Sequence, residues 1–240
     1  MKKFYEKNET LFAIMWIVVY VVVMGNLRNL GDDSPYMMIG LIVISTLMFL
    51  FVKRNHLEEK YGLSGWVKDS KAMLYLVPLW IVTTGNLWCG IVPEYQGTGL
   101  LFSIVSMALV GFAEEMIFRG FLFKAMLRDS GVKPAIIVSA VSFGIGHIVN
   151  LFTGHAGVET LIQIGYAIAF GFLMVYVFYK GGSLLPCIIS HSLVDVFSKI
   201  GEVQGVTEWV YYAVLFVTAI AYGVYLHRIK EPDTEETPRL

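Results

Sequence analysis

Glu114-Glu115-Met116-Ile117-Phe118-Arg119 sets two adjacent carboxylates and a guanidinium inside an apolar run that otherwise suits lipid. A charge at the centre of a spanning helix costs about 2.5–3.5 kcal/mol on insertion scales, so such groups face a protein interior or a wet cavity and meet partners there. Glu115 and Arg119 are i,i+4 and share one helix face, which a structural ion pair would explain. Glu114 points about 100° away round the same helix and is left over. The rest of the chain must supply what it works with.

The surroundings are those of a membrane protein. Of the 240 residues, 56% are hydrophobic and 15% charged, and the mean hydropathy is +0.66. That is too apolar for an ordinary soluble domain. A spanning helix needs about 20 apolar residues, and candidate spans fall at about 10–27, 36–52, 72–92, 100–123, 134–150, 160–179, 183–199 and 208–226. The expected fold is therefore all-α: eight transmembrane helices in a single domain over 1–228, with a motif core at 100–199 and a disordered cytoplasmic tail at 229–240. Lys2 and Lys3 precede an apolar run, but no small-x-small cleavage site follows Met24, which reads as an uncleaved first span. Cys89 and Cys187 lie far from any CxxC spacing and read as packing thiols rather than a disulfide.

Basic residues orient the chain. Fifteen of the 18 fall in the terminal segments and the loops on the same side as the termini; the other side has Arg28 and Lys199, and Arg119 lies within a span. By the positive-inside rule both termini are cytoplasmic in a multi-pass protein of the cell membrane. A net charge of -1 argues against nucleic acid as a partner. Asp32-Asp33-Ser34-Pro35 reads as a turn with the proline opening the next helix. Residues 53–70 read as an amphipathic cytoplasmic stretch with Trp66 at the interface. Spans one, two, three, six and eight carry no charged residue or histidine in their interiors and read as packing and lipid-facing helices.

Spans four, five and seven hold every buried ionisable group. Span five ends Phe143-Gly144-Ile145-Gly146-His147, and span seven contains His191-Ser192-Leu193-Val194-Asp195, its ring and carboxylate i,i+4 on one face. Each histidine alone is as easily a satisfied core residue, and His191 with Asp195 could simply tie two helices together. Depth argues otherwise. Glu115 lies 15 residues before Ser130 and His147 lies 16 after Gly131. With a turn at Asp129-Ser130-Gly131, an antiparallel pair rising about 1.5 Å per residue brings the two to one level. His191 and Asp195 reach a similar depth from the same side. Carboxylates and imidazoles round a wet pocket suit zinc or the direct activation of water, with one glutamate as general base. No HExxH is present.

These motifs resemble those of the CPBP intramembrane metalloproteases, which contain the type II CAAX prenyl endopeptidases and bacterial Abi-type proteins. Glu114-Glu115 with Arg119 matches EExxxR, Phe143 with His147 matches FxxxH, and His191 with Asp195 matches HxxxN/D, in that order and in separate spans over about residues 100–199. The resemblance implies eight helices round a polar, cytoplasm-open cavity and glutamate-dependent hydrolysis of a peptide or membrane-protein segment. Glu114 or Glu115 with His147 would activate water, Arg119 would orient the glutamates, and His191 with Asp195 would bind metal or steady the oxyanion. The expected ligand set for a divalent ion, zinc by donor type, is Glu115, His147, His191 and Asp195. Asp195 stands where the eukaryotic prenyl proteases usually carry Asn, which favours a metal ligand and weakens the case for prenylated substrates. Peptide maturation and bacteriocin immunity are the expected settings. A non-catalytic scaffold or immunity protein of the same fold is the alternative, with a proton-coupled transporter third.

Overall fold

The computed structural model describes residues 1–148 and 157–229. They form ten α-helices and no strand among the described residues. The helices are α1 (Lys2–Lys7), α2 (Glu9–Leu27), α3 (Pro35–Arg54), α4 (Val77–Thr83), α5 (Gly97–Glu115), α6 (Lys124–Ser130), α7 (Val132–Gly146), α8 (Gly157–Gly181), α9 (Leu185–Ile200) and α10 (Val206–Arg228). Between α5 and α6 the helix continues as a π-helix, Met116–Phe123. From residue 230 onward the expected tail lies outside the described residues, as do the last two residues of the expected fifth span.

Five helical stretches are long and apolar enough to cross a membrane: Glu9–Leu30, Pro35–Arg54, Gly97–Ser130, Thr160–Gly181 and Val206–Arg228. The other three expected spans are shorter or interrupted among the described residues. The 15 residues of α7 and the 16 of α9 rise about 22–24 Å, short of a hydrocarbon core of about 30 Å. The third expected span is broken. Leu74, Tyr75 and Leu76 all take positive φ, Pro78 sits in the first turn of α4, and the helix stops at Thr83. The stretch before it, from residue 55 to 73, is mostly a run of turns. The α2–α3 turn forms as expected, with Ser34 capping α3 through the Tyr36 amide at 3.2 Å and Pro35 opening the helix.

Ion pairs tie the two ends of the bundle. At the end bearing both termini, Glu9 of α2 accepts from Lys60 at 2.6 Å and pairs with Arg128 of α6 at 2.8 Å. At the far end, Lys199 of α9 meets Asp32 at 2.7 Å and Glu94 at 2.9 Å. Close helix approach sets the middle. Helix α5 packs on α9, and α8 packs on both α7 and α10. A Cβ on Gly111 would come within 2.5 Å of the Ser192 amide nitrogen, so α5 and α9 meet backbone to backbone there. Small residues at such crossings let spanning helices associate by van der Waals contact when no water is available to drive them together.

Gly111→Ala should lower the thermal midpoint of the detergent-solubilised protein, by the 1–3 kcal/mol typical of overpacking. Gly165→Ala, whose new Cβ has nothing nearer than Phe216 at 3.9 Å, should be neutral or stabilising, since alanine is the better helix former by about 1 kcal/mol.

Candidate active site

Three helices deliver the charged groups to one level. Helix α5 ends on Glu114 and Glu115, and the π-helix that follows carries Arg119 one turn on. Helix α7 ends just before His147, and α9 presents His191 and Asp195. Packing also holds the π-helix in place: all eight of its side chains are buried, and the Ser139 hydroxyl of α7 donates to the Phe118 carbonyl at 2.8 Å.

Glu115 and Arg119 are both 0% exposed. Oε1 of Glu115 lies 2.9 Å from Nη1 of Arg119 and 2.8 Å from Nδ1 of His191. An ionised Glu115 can only accept, so Nδ1 of His191 carries the proton and Nε2 is turned away from the pair. The Arg119 guanidinium stacks on Phe143 with its carbon 4.2 Å from the ring centroid, a cation–π contact that gains strength out of water. Phe143 also meets His147 edge to face at 5.6 Å and His191 at 5.4 Å. One ring thus spaces all three polar groups.

Glu114 faces the other way. Its Oε1 accepts from the Tyr20 hydroxyl at 2.9 Å, and its Oε2 lies 3.7 Å from Nε2 of His191. Oδ2 of Asp195 is 3.6 Å from the same nitrogen. Glu114, His147, His191 and Asp195 all line a cavity of about 1050 Å³, at the upper end of small-molecule sites. Glu115 and Arg119 do not line it. Glu114, His147 and Tyr20 also share a smaller space of about 50 Å³ beside it, which Arg28 adjoins.

Glu115, His147, His191 and Asp195 do not converge on one point, because Glu115 has turned to Arg119 and to the inner ring nitrogen of His191. Among the described residues no three His, Cys, Asp or Glu side chains are arranged to hold one ion. The depth argument does hold, with a change of partner: His147 shares its cavity with Glu114, while Glu115 bonds His191.

Tyr20 is the residue that sequence reasoning missed, since α2 reads as a plain packing helix. A tyrosine in the middle of an apolar span was the available signal, because a buried phenol seeks a partner. The cavity mouth adds Arg28, Asp32, Tyr95, Lys199 and Trp209. Burial, then a hydrogen bond to Glu94, pushes the Tyr95 phenol up to about 12, which keeps it neutral there. Cys187 is buried as expected, but Cys89 is exposed and packs nothing; both are free thiols.

Residues 96–197, which contain every group from Glu114 to Asp195, match the family model described as type II CAAX prenyl endopeptidase Rce1-like. That family is a protease family. No curated protein and no solved structure matches the chain.

Arg119→Met should destabilise the folded protein by about 3–5 kcal/mol, the cost of leaving one member of a buried pair without its partner. Adding Glu115→Gln to that variant should recover a large part of the loss. Thermal unfolding of the two variants in the same detergent checks both statements.

Proposed function

We propose that this chain is a multi-pass membrane endopeptidase that hydrolyses a peptide or membrane-protein segment with water activated by a glutamate. The observation that carries the reading is the division of labour between neighbouring acids. Glu114 and His147 line the cavity, while Glu115 is sealed behind them against Arg119 and His191. The family match over residues 96–197 agrees with it.

In this reading Glu114 is the general base. It takes a proton from a water held between its carboxylate and His147, and the water oxygen adds to the scissile carbonyl carbon. His191, with both ring nitrogens protonated, donates from Nε2 to the developing oxyanion while Nδ1 stays bonded to Glu115. Asp195 sits beside the same nitrogen and holds its proton in place. Collapse of the tetrahedral species breaks the C–N bond, and the proton on Glu114 passes to the leaving amine. Tyr20 fixes the rotamer of Glu114 through the 2.9 Å hydrogen bond, and Arg119 fixes Glu115. Holding acid, water and carbonyl in register is worth several kcal/mol of the barrier, and general-base transfer typically adds about 10²–10⁴-fold.

The shorter helices α4, α7 and α9 complete eight helices in the bilayer in this reading, with α7 and α9 covered by longer neighbours. The termini are cytoplasmic, the cell membrane is the location, and maturation of a peptide or immunity to a bacteriocin is the kind of task served.

Glu114→Gln should abolish turnover of a peptide library, read by mass spectrometry on purified protein, while leaving the thermal midpoint within a degree or two of the parent. Tyr20→Phe should lower kcat about tenfold or more with little change in KM, as expected for loss of positioning. Full turnover by Glu114→Gln would refute the reading.

A further inference from the structure

Among the described residues, one end of the cavity is lined by groups that lie opposite the termini. Arg28 and Asp32 come from the α2–α3 turn, Tyr95 from the loop before α5, Lys199 from the end of α9, and Trp209 from the start of α10. Helix α2 begins beside the N-terminus and delivers Arg28 to the far end; α10 begins at that far end and returns toward residue 229. The basic residues lie at the other end. Every lysine and arginine among the described residues, except Arg28, Lys199 and the buried Arg119, falls on the helix ends or loops at the termini end. The two sequence expectations, cytoplasmic termini and a cytoplasm-open cavity, are therefore incompatible in this fold.

We propose that the cavity is entered from the non-cytoplasmic face, and that its substrate is a peptide segment presented on that face. The proposal rests on the peptidase reading for its substrate, and on charge and geometry for its direction. The imbalance of basic residues between short loops is the strongest determinant of orientation in a polytopic protein, and here it runs 15 to 2. Reversing the chain would carry nearly all of that charge across the bilayer. Helices α7 and α9 stop about 22–24 Å from the termini end, so the mouth is recessed beneath the ends of the longer helices around it. The wall of the cavity carries both signs: Asp32, Glu114, Asp195 and Glu208 line it with Arg28, Lys199, His147 and His191, and Lys199 pairs with Asp32 and Glu94.

Orientation is testable without any turnover. Cys187 is 0% exposed, so Cys89→Ser leaves a background with no reactive thiol. Gln96 is exposed at the mouth end and its side chain makes no capping bond; Lys71 is exposed at the other end. In that background, Gln96→Cys should react with a membrane-impermeant maleimide on intact cells, and Lys71→Cys only after permeabilisation. The reverse pattern, or labelling of both on intact cells, overturns the proposal. A second arm adds impermeant peptides to intact spheroplasts and to inverted vesicles. Spheroplasts alone should cleave them, and equal cleavage by inverted vesicles also overturns it. Should labelling run as expected while Glu114→Gln keeps full turnover, the peptidase reading fails and the orientation stands.

Discussion

A carboxylate, a guanidinium and an imidazole meet on one oxygen in the dry middle of this bundle, and the arrangement of the helices follows from keeping them together. Oε1 of Glu115 holds Arg119 at 2.9 Å and His191 at 2.8 Å with no water-exposed surface on either Glu115 or Arg119. Desolvating such ions costs several kcal/mol each, and their mutual attraction repays it only with good geometry. Geometry in turn demands that α5 and α9 touch, which Gly111 against Ser192 allows. It also demands a flat surface for the guanidinium, which Phe143 of α7 provides. One cluster thus draws three elements to a single level.

The same cluster separates support from chemistry. Because Glu115 is held by two partners behind the cavity wall, its neighbour Glu114 is left facing the open space with a tyrosine to steady it. Adjacent residues on a helix diverge by about 100°, so a pair of acids can serve an inner ion pair and an outer wall without a loop between them. His191 joins the two sides. Its inner nitrogen belongs to the buried cluster, and its outer nitrogen lies within 3.7 Å of both Glu114 and Asp195.

Much of this was legible in the residues. Charged groups in apolar runs, i,i+4 spacing and a fixed rise per residue suffice to bring Glu114, His147, His191 and Asp195 to one depth and to mark the Asp129-Ser130-Gly131 turn, where Gly131 takes φ +83° between α6 and α7. What was not legible depends on contacts across helices. Tyr20 is uncharged, and nothing in the order of residues says that α2 lies beside Glu114. Which glutamate faces the cavity depends on where Arg119 and Phe143 sit. The break ahead of α4 depends on left-handed backbone at Leu74, Tyr75 and Leu76, which apolar composition does not announce.

The π-helix at Met116–Phe123 has a consequence for how this chain can vary. A π-turn closes over one residue more than an α-turn, so the stretch acts as an insertion lodged between two regular helices. Upstream, the register aims Glu114 and Glu115 at α2 and α9. Downstream, it aims Phe121 into a knot of rings formed by Phe12, Trp16, Phe51 and Tyr61. A continuous α-helix could satisfy one of those aims but would swing the other by roughly 100°. Removing a single amino acid here would leave a more regular helix and a misaligned molecule, whereas the loops at either end could lengthen freely. Relatives of this chain should therefore differ in the size of their loops while counting the same number of residues between the paired acids and the aromatic anchor.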